Sequence, residues 1–270
     1  MRQPQRRIAF ILASTNHGTM ILNRFDYRMT EPGKGYGAGF MLLNTSEFDM
    51  KEARVVMALL DARRRRFGDG VQVLDIGANI GVFTIEWARH MAGWGRVLAI
   101  EAQERIFCAL AGNIAINNCF NARPMWAAVN NQPGTMRVPV LNPFVPASFG
   151  SLELRQRTGT EEIGQNVDYR DDYMMTIRAV SVDSLGLARL DLMKIDVEGM
   201  ELEVLEGARR TIGQFHPILV VEKIKVDQDA LGRYLDEYGY QKFALGLNVV
   251  AIHLTDNSSR VFARTPAPAA

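Results

Sequence analysis

An α/β fold built on a doubly wound, mainly parallel sheet is the architecture this sequence predicts, and three observations lead to it. Short β-branched apolar runs of strand length alternate with stretches of helical apolar periodicity, the pattern of successive right-handed βαβ units. Two of those runs, at 71–76 and 190–195, pass directly into glycine-containing turns that open helices. The chain also has the bulk for it, since 270 residues with 47% apolar composition can fill one full α/β core plus a cap or insertion.

Taken in order, the apolar run at 8–13 follows Arg2, Arg6 and Arg7 but is too short for a signal-peptide core or a membrane span, so a cytoplasmic location is expected. That run and a second at 20–25 read as a β-hairpin-like cap, and Gly33, Gly35, Gly37 and Gly39 follow as a mobile loop, giving an N-terminal unit over 1–49. A helix is expected over 50–66 with Asp49 as its N-cap. Its last turn, Arg63 to Arg66, places cations at the negative end of the helix dipole. With 31 Lys+Arg against 30 Asp+Glu, the chain carries no electrostatic footprint for nucleic acid or anionic membrane.

The strand at 71–76, carried by Val71, Val73, Leu74 and Ile76, turns at Asp75-Ile-Gly-Ala-Asn-Ile-Gly into a helix over 82–91. A glycine corner at a helix N-terminus suits a nucleotide-like ligand, because the backbone can approach closely and its unpaired N–H groups favour an anionic group. A dinucleotide fingerprint fails here, since counting from Gly77 its third and sixth positions are Asn79 and Val82. A phosphate-cradling P-loop fails as well, because no lysine lies between Val71 and Met91. What remains is Asp75-x-Gly77-x-Asn79-x-Gly81 followed by a second strand, 97–100, ending in Glu101. A carboxylate at that strand tip, about 20 residues past the glycine turn, can accept hydrogen bonds from both ribose hydroxyls of an adenosine cofactor. The competing reading is a tight strand–helix turn that binds nothing.

Beyond Glu101 the pattern predicts a helix over 104–118 and strands over 122–129 and 136–140. Residues 141–176 interrupt it with Pro143, Pro146, a Ser-Phe-Gly-Ser turn and a charged aromatic run from Tyr169 to Tyr173, and are read as a substrate-facing insertion. The strand at 190–195 then carries Lys194 and Asp196 to one side and sets Asp196, Glu198 and Gly199 at the carboxyl edge, where open α/β sheets bind ligands. A helix is expected from Met200 to just before Gly213, with Glu201, Glu203 and Glu206 as solvated acids. One more strand, 217–221, ends in Glu222 beside Lys223. The main domain is placed at 50–257, with 258–270 as a flexible tail. Cys108 and Cys119 are expected to be reduced and structural, and the four scattered histidines form no metal set.

Together, Asp75-Ile-Gly-Ala-Asn-Ile-Gly, the acidic strand tip at Glu101, Lys194-Ile-Asp-Val-Glu-Gly-Met-Glu, Leu205-Glu-Gly-Ala and Val221-Glu222 resemble, in order and spacing, the FkbM family of S-adenosylmethionine-dependent methyltransferases. The resemblance runs from about residue 50 to 222. It implies a class I, Rossmann-like methyltransferase fold with a seven-stranded sheet, S-adenosylmethionine as cofactor with S-adenosylhomocysteine as product, and O-methylation of a hydroxyl on a sugar or other small molecule. It also implies cofactor contacts at Asp75, Gly77, Ala78, Asn79, Gly81, Glu101 and Ala102, with Asp196 beside the transferred methyl.

The chemistry needs an acceptor oxygen aligned behind the methyl and a group to take its proton. An ordinary Asp, with a pKa near ~3.9, is poorly matched to an alcohol, so Asp196 is expected to act in a cluster with Lys194, Glu198 and Glu222. A carboxylate trio is also the kind of set that binds Mg²⁺, but the spacing supplies no third ligand and no metal is assigned. Two rival readings use the same cofactor corner: an RNA or protein methyltransferase, which needs a basic, aromatic-interleaved face, and a non-catalytic cofactor-binding protein, which needs no acids at 196, 198 and 222. Neither a nucleic-acid nor a membrane partner is assigned.

Overall fold

The computed structural model describes residues 7–263. Two hairpins open it, β1 (Phe10–Thr15) with β2 (Gly18–Asn23) and β3 (Arg28–Glu31) with β4 (Lys34–Tyr36). Helices α1 (Ala38–Thr45) and α2 (Met50–Phe67) lead to β5 (Val71–Ile76), α3 (Val82–His90), β6 (Gly95–Glu101), α4 (Glu104–Ile116), β7 (Ala122–Trp126), β8 (Ala128–Val129) and β9 (Gly134–Pro139). After a long irregular segment come β10 (Met174–Val180), β11 (Leu192–Ile195), α5 (Glu201–Glu206), α6 (Arg209–Phe215) and β12 (Ile218–Glu222). The chain closes with α7 (Gln228–Glu237), β13 (Tyr240–Leu245), β14 (Asn248–His253) and α8 (Arg260–Ala263).

The main sheet has seven strands in the order β13-β14-β12-β11-β5-β6-β7. The five from β12 to β7 are parallel, and β14 runs antiparallel between β12 and β13, so the expected mostly parallel, seven-stranded doubly wound sheet is what the chain forms. The alternation of strand side chains divides the core. Val71 and Val73 of β5 face α2, α3 and α4 through Val56, Leu60, Ile85 and Leu110, whereas Leu74 and Ile76 face α5, α6 and α7 through Val204, Ile212 and Leu235. Both faces of β5 and β11 are covered, so every residue of the two strands is buried except the half-buried Gln72, the polar Asp75 and Lys194 included. Each fully buried aliphatic side chain contributes roughly 1.5–3 kcal/mol.

Several elements differ from expectation, each for a physical reason. The stretch expected as one strand over 122–129 breaks at Ala127: β7 stays at the edge of the main sheet, where Pro124 costs no shared ladder bond on its outer side, while β8 leaves to pair with β10. Strand β9 joins β10 antiparallel in a separate three-stranded sheet and adds no strand to the main one. The helix expected from Met200 is two, interrupted at Gly207 and Ala208; a Cβ on Gly207 would lie 2.4 Å from the Asn130 carbonyl oxygen, so only glycine fits at the junction. Asp183 then accepts the N–H groups of Arg210 and Thr211 at the start of α6.

The glycines at 33–39, expected as a mobile loop, form the β3–β4 hairpin and the approach to α1. A Cβ on Gly37 or Gly39 would sit 2.6 Å from the Asp26 carbonyl or 2.5 Å from the Asn23 carbonyl, so these glycines permit close packing. The irregular segment after β9 is likewise anchored, by Ala147, Phe149, Leu152 and Ile163 in the main core. At the other end the expected tail boundary at 258 falls within helical structure: Phe262 of α8 stacks on Phe243 with ring centroids 4.6 Å apart. Residues 1–6 of the cap and 264–270 of the tail lie outside the described residues. Among the described residues, no helix is long and apolar enough to cross a membrane.

Candidate functional site

Above the carboxyl ends of β5, β6, β11 and β12 lies a cavity of about 780 Å³. Open α/β sheets bind ligands at this edge, where the strand order reverses between neighbours. Its floor is the turn after β5. The backbone N–H groups of Gly77 and Ala78 both donate to the Ile100 carbonyl, which ties this turn to β6, while Asn79 adopts a left-handed φ of 50°.

Gly77 and Gly81 are required for reasons internal to the fold. A Cβ on Gly77 would stand 1.7 Å from the Asp196 carbonyl oxygen, and one on Gly81 would meet Leu110 Cδ1 at 2.5 Å. The turn after β5 and the turn after β11 are thus in backbone contact, and Asp196 N donates to the Ile76 carbonyl at 3.0 Å. Gly77, Ala78, Asn79, Glu101 and Ala102 line the cavity, but Gly81 does not. Nor does Asp75, which is 1% exposed beneath the floor and accepts the Thr84 hydroxyl at 2.6 Å. Its negative charge helps hold the Lys194 ammonium.

Glu101 closes one end of the cavity. Its two carboxylate oxygens accept the backbone N–H groups of Asn79 at 3.0 Å and Gln103 at 2.8 Å, which aims the carboxylate and leaves further lone pairs free. Burial pushes its pKa up to about 7 against these N–H bonds.

The other end is a carboxylate cluster. Asp196 Oδ2 accepts from Lys194 Nζ at 2.6 Å, and Lys194 is almost fully buried, 5.2 Å above the Phe83 ring. Burial opposes the lysine's charge, but Asp196, Asp75 and Glu52 outweigh it, so its pKa is raised and it stays protonated. Glu198, at a left-handed φ of 54°, bonds Lys225 Nζ at 2.6 Å. One oxygen from each of Asp196, Glu198 and Glu222 lies within 4.8 Å of the others, so the expected cluster of these three acids does come together. Two of the three already hold a lysine ammonium, which is the alternative to a divalent ion as a way of neutralising them. Burial, then the charge of Asp196, raises both Glu198 and Glu222 far above the usual carboxylate range.

Other site residues gave no signal in the sequence. Lys225 also reaches Glu161 at 3.0 Å and the Ser151 carbonyl at 2.9 Å, so it ties the 141–173 segment to Glu198. Glu161 in turn accepts the Tyr36 hydroxyl at 2.5 Å, which brings the β3–β4 hairpin over the same cavity. Glu201, expected to be solvated, is fully buried and accepts the N–H groups of Val197 and Gly199, fixing the turn that presents Glu198. Asp49 sits at the start of α2 with no side-chain capping bond and lines the cavity instead.

These acids carry a consequence for stability. Glu52 and Glu101 are each pushed from 4.5 to about 7, by burial first. Between those values the folded chain binds more protons than the unfolded one, so stability falls as pH rises. Glu198 and Glu222, raised for the same reason, extend the fall to higher pH. The melting temperature of the ligand-free protein is expected to drop steadily from pH 5 to pH 8 in a calorimetric series, and a steady rise over that range would contradict it.

The sequence model described as the methyltransferase FkbM domain matches residues 75–242, more than half of the chain. Methyltransferase sdnD of Sordaria araneosa is 29% identical over 154 residues, 50% of this chain and 59% of that protein. Methyltransferase 1 of Beauveria bassiana is 25% identical over 52% of this chain and 59% of its own. The chain thus spans less than two thirds of these curated relatives. Among solved structures, the FkbM methyltransferase from Methylobacillus flagellatus superposes with a TM-score of 0.49 at 19% identity, covering 68% of this chain and 44% of that one.

Proposed function

This chain belongs to the FkbM methyltransferase domain family, and from that premise we propose that it transfers a methyl group from S-adenosylmethionine to a hydroxyl oxygen of a small molecule or sugar. The observation that carries the reading is a single cavity with an aimed strand-tip carboxylate, Glu101, at one end and the Asp196 cluster at the other. The fit to the cofactor is chemical. Glu101 offers free lone pairs for a ribose diol, and Gly77, Ala78 and Asn79 line the cavity beside it.

When bound, S-adenosylmethionine supplies a methyl already activated by its sulfonium. The chain's own task is to hold the acceptor and receive a proton. Asp196, fixed by Lys194 and by its backbone bond to β5, orients the acceptor hydroxyl. Glu222, with a carboxylate oxygen within 4.8 Å of one on Asp196, is the group placed to receive the proton. Tyr36 and Glu161 cover the mouth, and Phe48 and Phe83 make an apolar wall.

Calorimetry tests the cofactor half: the protein is expected to bind S-adenosylhomocysteine and not NAD. Glu101→Ala should weaken that binding by about 1–3 kcal/mol, the scale of lost hydrogen bonds to a charged group. Unchanged affinity in a folded variant would remove Glu101 as the ribose partner. A methyl-transfer screen against sugars, hydroxylated metabolites and RNA tests the acceptor half, with product expected only from the first two classes.

A further inference from the structure

One wall of the cavity is built from hydrogen-bond acceptors that nothing in the chain satisfies. Glu52, in the first turn of α2, and Asn248, at the start of β14, are 9% and 6% exposed. Asn248 Nδ2 donates to Glu52 Oε2 at 2.7 Å, and Asn248 stands opposite Glu222 in the β12–β14 register. Among the described residues, Glu52 Oε1, Asn248 Oδ1 and Glu222 Oε2 are buried without any hydrogen-bond partner, and all three residues line the cavity. A buried acceptor left unpaired is costly, and three of them on one wall point to a donor that comes from outside the chain.

The charge of the cavity says what kind of donor. Seven carboxylate side chains line it against three lysines. Lys194 and Lys225 are committed to Asp196 and Glu198, and Lys51 is exposed on α2. This excess of acids disfavours an anionic group at the Glu52–Asn248–Glu222 wall. A hydroxyl brings one donor for three acceptors. A primary ammonium brings three donors and a positive charge, matching both the number of orphaned oxygens and their sign.

We infer that Glu52, Asn248 and Glu222 form a subsite for a primary ammonium group, and that the group is carried by the methyl acceptor. This rests on the methyltransferase reading above. The subsite adjoins the Asp196 cluster through Glu222 and lies on the β12–β14 side of the sheet, whereas Glu101 belongs to β6. Held there as a cation, the amine has no free lone pair and is a handle. The nucleophile is then a hydroxyl elsewhere on the same molecule, placed at Asp196. The acceptor class is an amino alcohol or amino sugar.

The test uses the 270-residue chain saturated with S-adenosylhomocysteine and two matched probe pairs, ethanolamine against ethylene glycol and glucosamine against glucose, titrated by ligand-observed NMR. Each amine is expected to bind at least tenfold more tightly than its hydroxyl counterpart. Glu52→Gln, or Asn248→Ser if that variant does not fold, should abolish the preference while leaving S-adenosylhomocysteine affinity unchanged. Amines that bind no better than their counterparts, including no binding by either, would overturn the inference. So would a variant that loses S-adenosylhomocysteine affinity, since the subsite would then hold the cofactor's own α-amino group. Failure of the parent protein to bind S-adenosylhomocysteine is a separate result and strikes the methyltransferase reading itself.

Discussion

Asp196→Asn is expected to lower methyl-transfer turnover by roughly 10²–10⁴-fold, the range of general acid–base assistance, while cofactor binding stays nearly intact. The substitution keeps the size of the side chain and leaves an oxygen to accept from Lys194, whose present bond is 2.6 Å. It removes the negative charge proposed to orient the acceptor hydroxyl, a charge that, after burial, also raises Glu198 and Glu222. Lys194 retains Asp75 and Glu52 as counter-charges, so the buried ammonium is not abandoned. A purely structural role predicts near-normal turnover, because Asn and Asp serve equally well as helix caps. The structure assigns the turn before α5 to Glu201, whose carboxylate takes the Val197 and Gly199 N–H groups, so Asp196 is spare from that duty. Steady-state kinetics with kcat and KM separated, alongside calorimetry with S-adenosylhomocysteine, distinguish the two outcomes.

Gly77→Ala is expected to be the most damaging single methyl in the chain. The new carbon would stand 1.7 Å from the Asp196 carbonyl oxygen, which is backbone and cannot rotate away. Gly77 also has φ of 76°, a conformation that costs an L-residue about 1–2 kcal/mol. Overpacking adds typically about 1–3 kcal/mol, giving a loss of roughly 2–5 kcal/mol. Because relief requires the two turns to part, the Gly77–Asn79 backbone and Asp196 would shift together. Both the urea midpoint and S-adenosylhomocysteine affinity should therefore fall, the latter by about tenfold or more. A variant with parental stability and affinity would show that the two turns are not in contact. Gly33, with φ of 77° and open space around it, is the matched control: Gly33→Ala carries only the backbone term.

Much of this arrangement is legible in the sequence because it is local. The strand–glycine–helix corner at 71–81 and the Lys194 to Gly199 turn each place their chemistry within a few residues of a strand end, and pattern finds strand ends well. Glu101 and Glu222 follow for the same reason. What pattern misses is which residue meets which across the fold. The apolar run at 71–76 does not reveal that Asp75 points beneath the floor to Thr84 and Lys194. Glycine in a loop signals conformational freedom, yet Gly77, Gly37 and Gly39 are needed because another strand of backbone passes beside them. Glu201 looks like a helix-surface acid by spacing and is buried because the turn before it needs an acceptor. Glu52 and Asn248 meet across nearly the whole chain, where no spacing rule reaches. Lys225, Glu161 and Tyr36 are charged or polar residues in irregular stretches, and only the closure of the hairpin and the 141–173 segment over the sheet edge makes them neighbours.

One cavity is proposed to serve both as cofactor site and as the place where Asp196 meets the acceptor, and a crystal structure of the protein with S-adenosylhomocysteine tests that most directly. The predicted result is the ribose hydroxyls on the Glu101 carboxylate, the nucleoside along the Gly77–Asn79 backbone, and the sulfur on the side of the cavity that faces Asp196. A nucleoside bound away from Glu101, or a sulfur screened from Asp196 by protein, would contradict it.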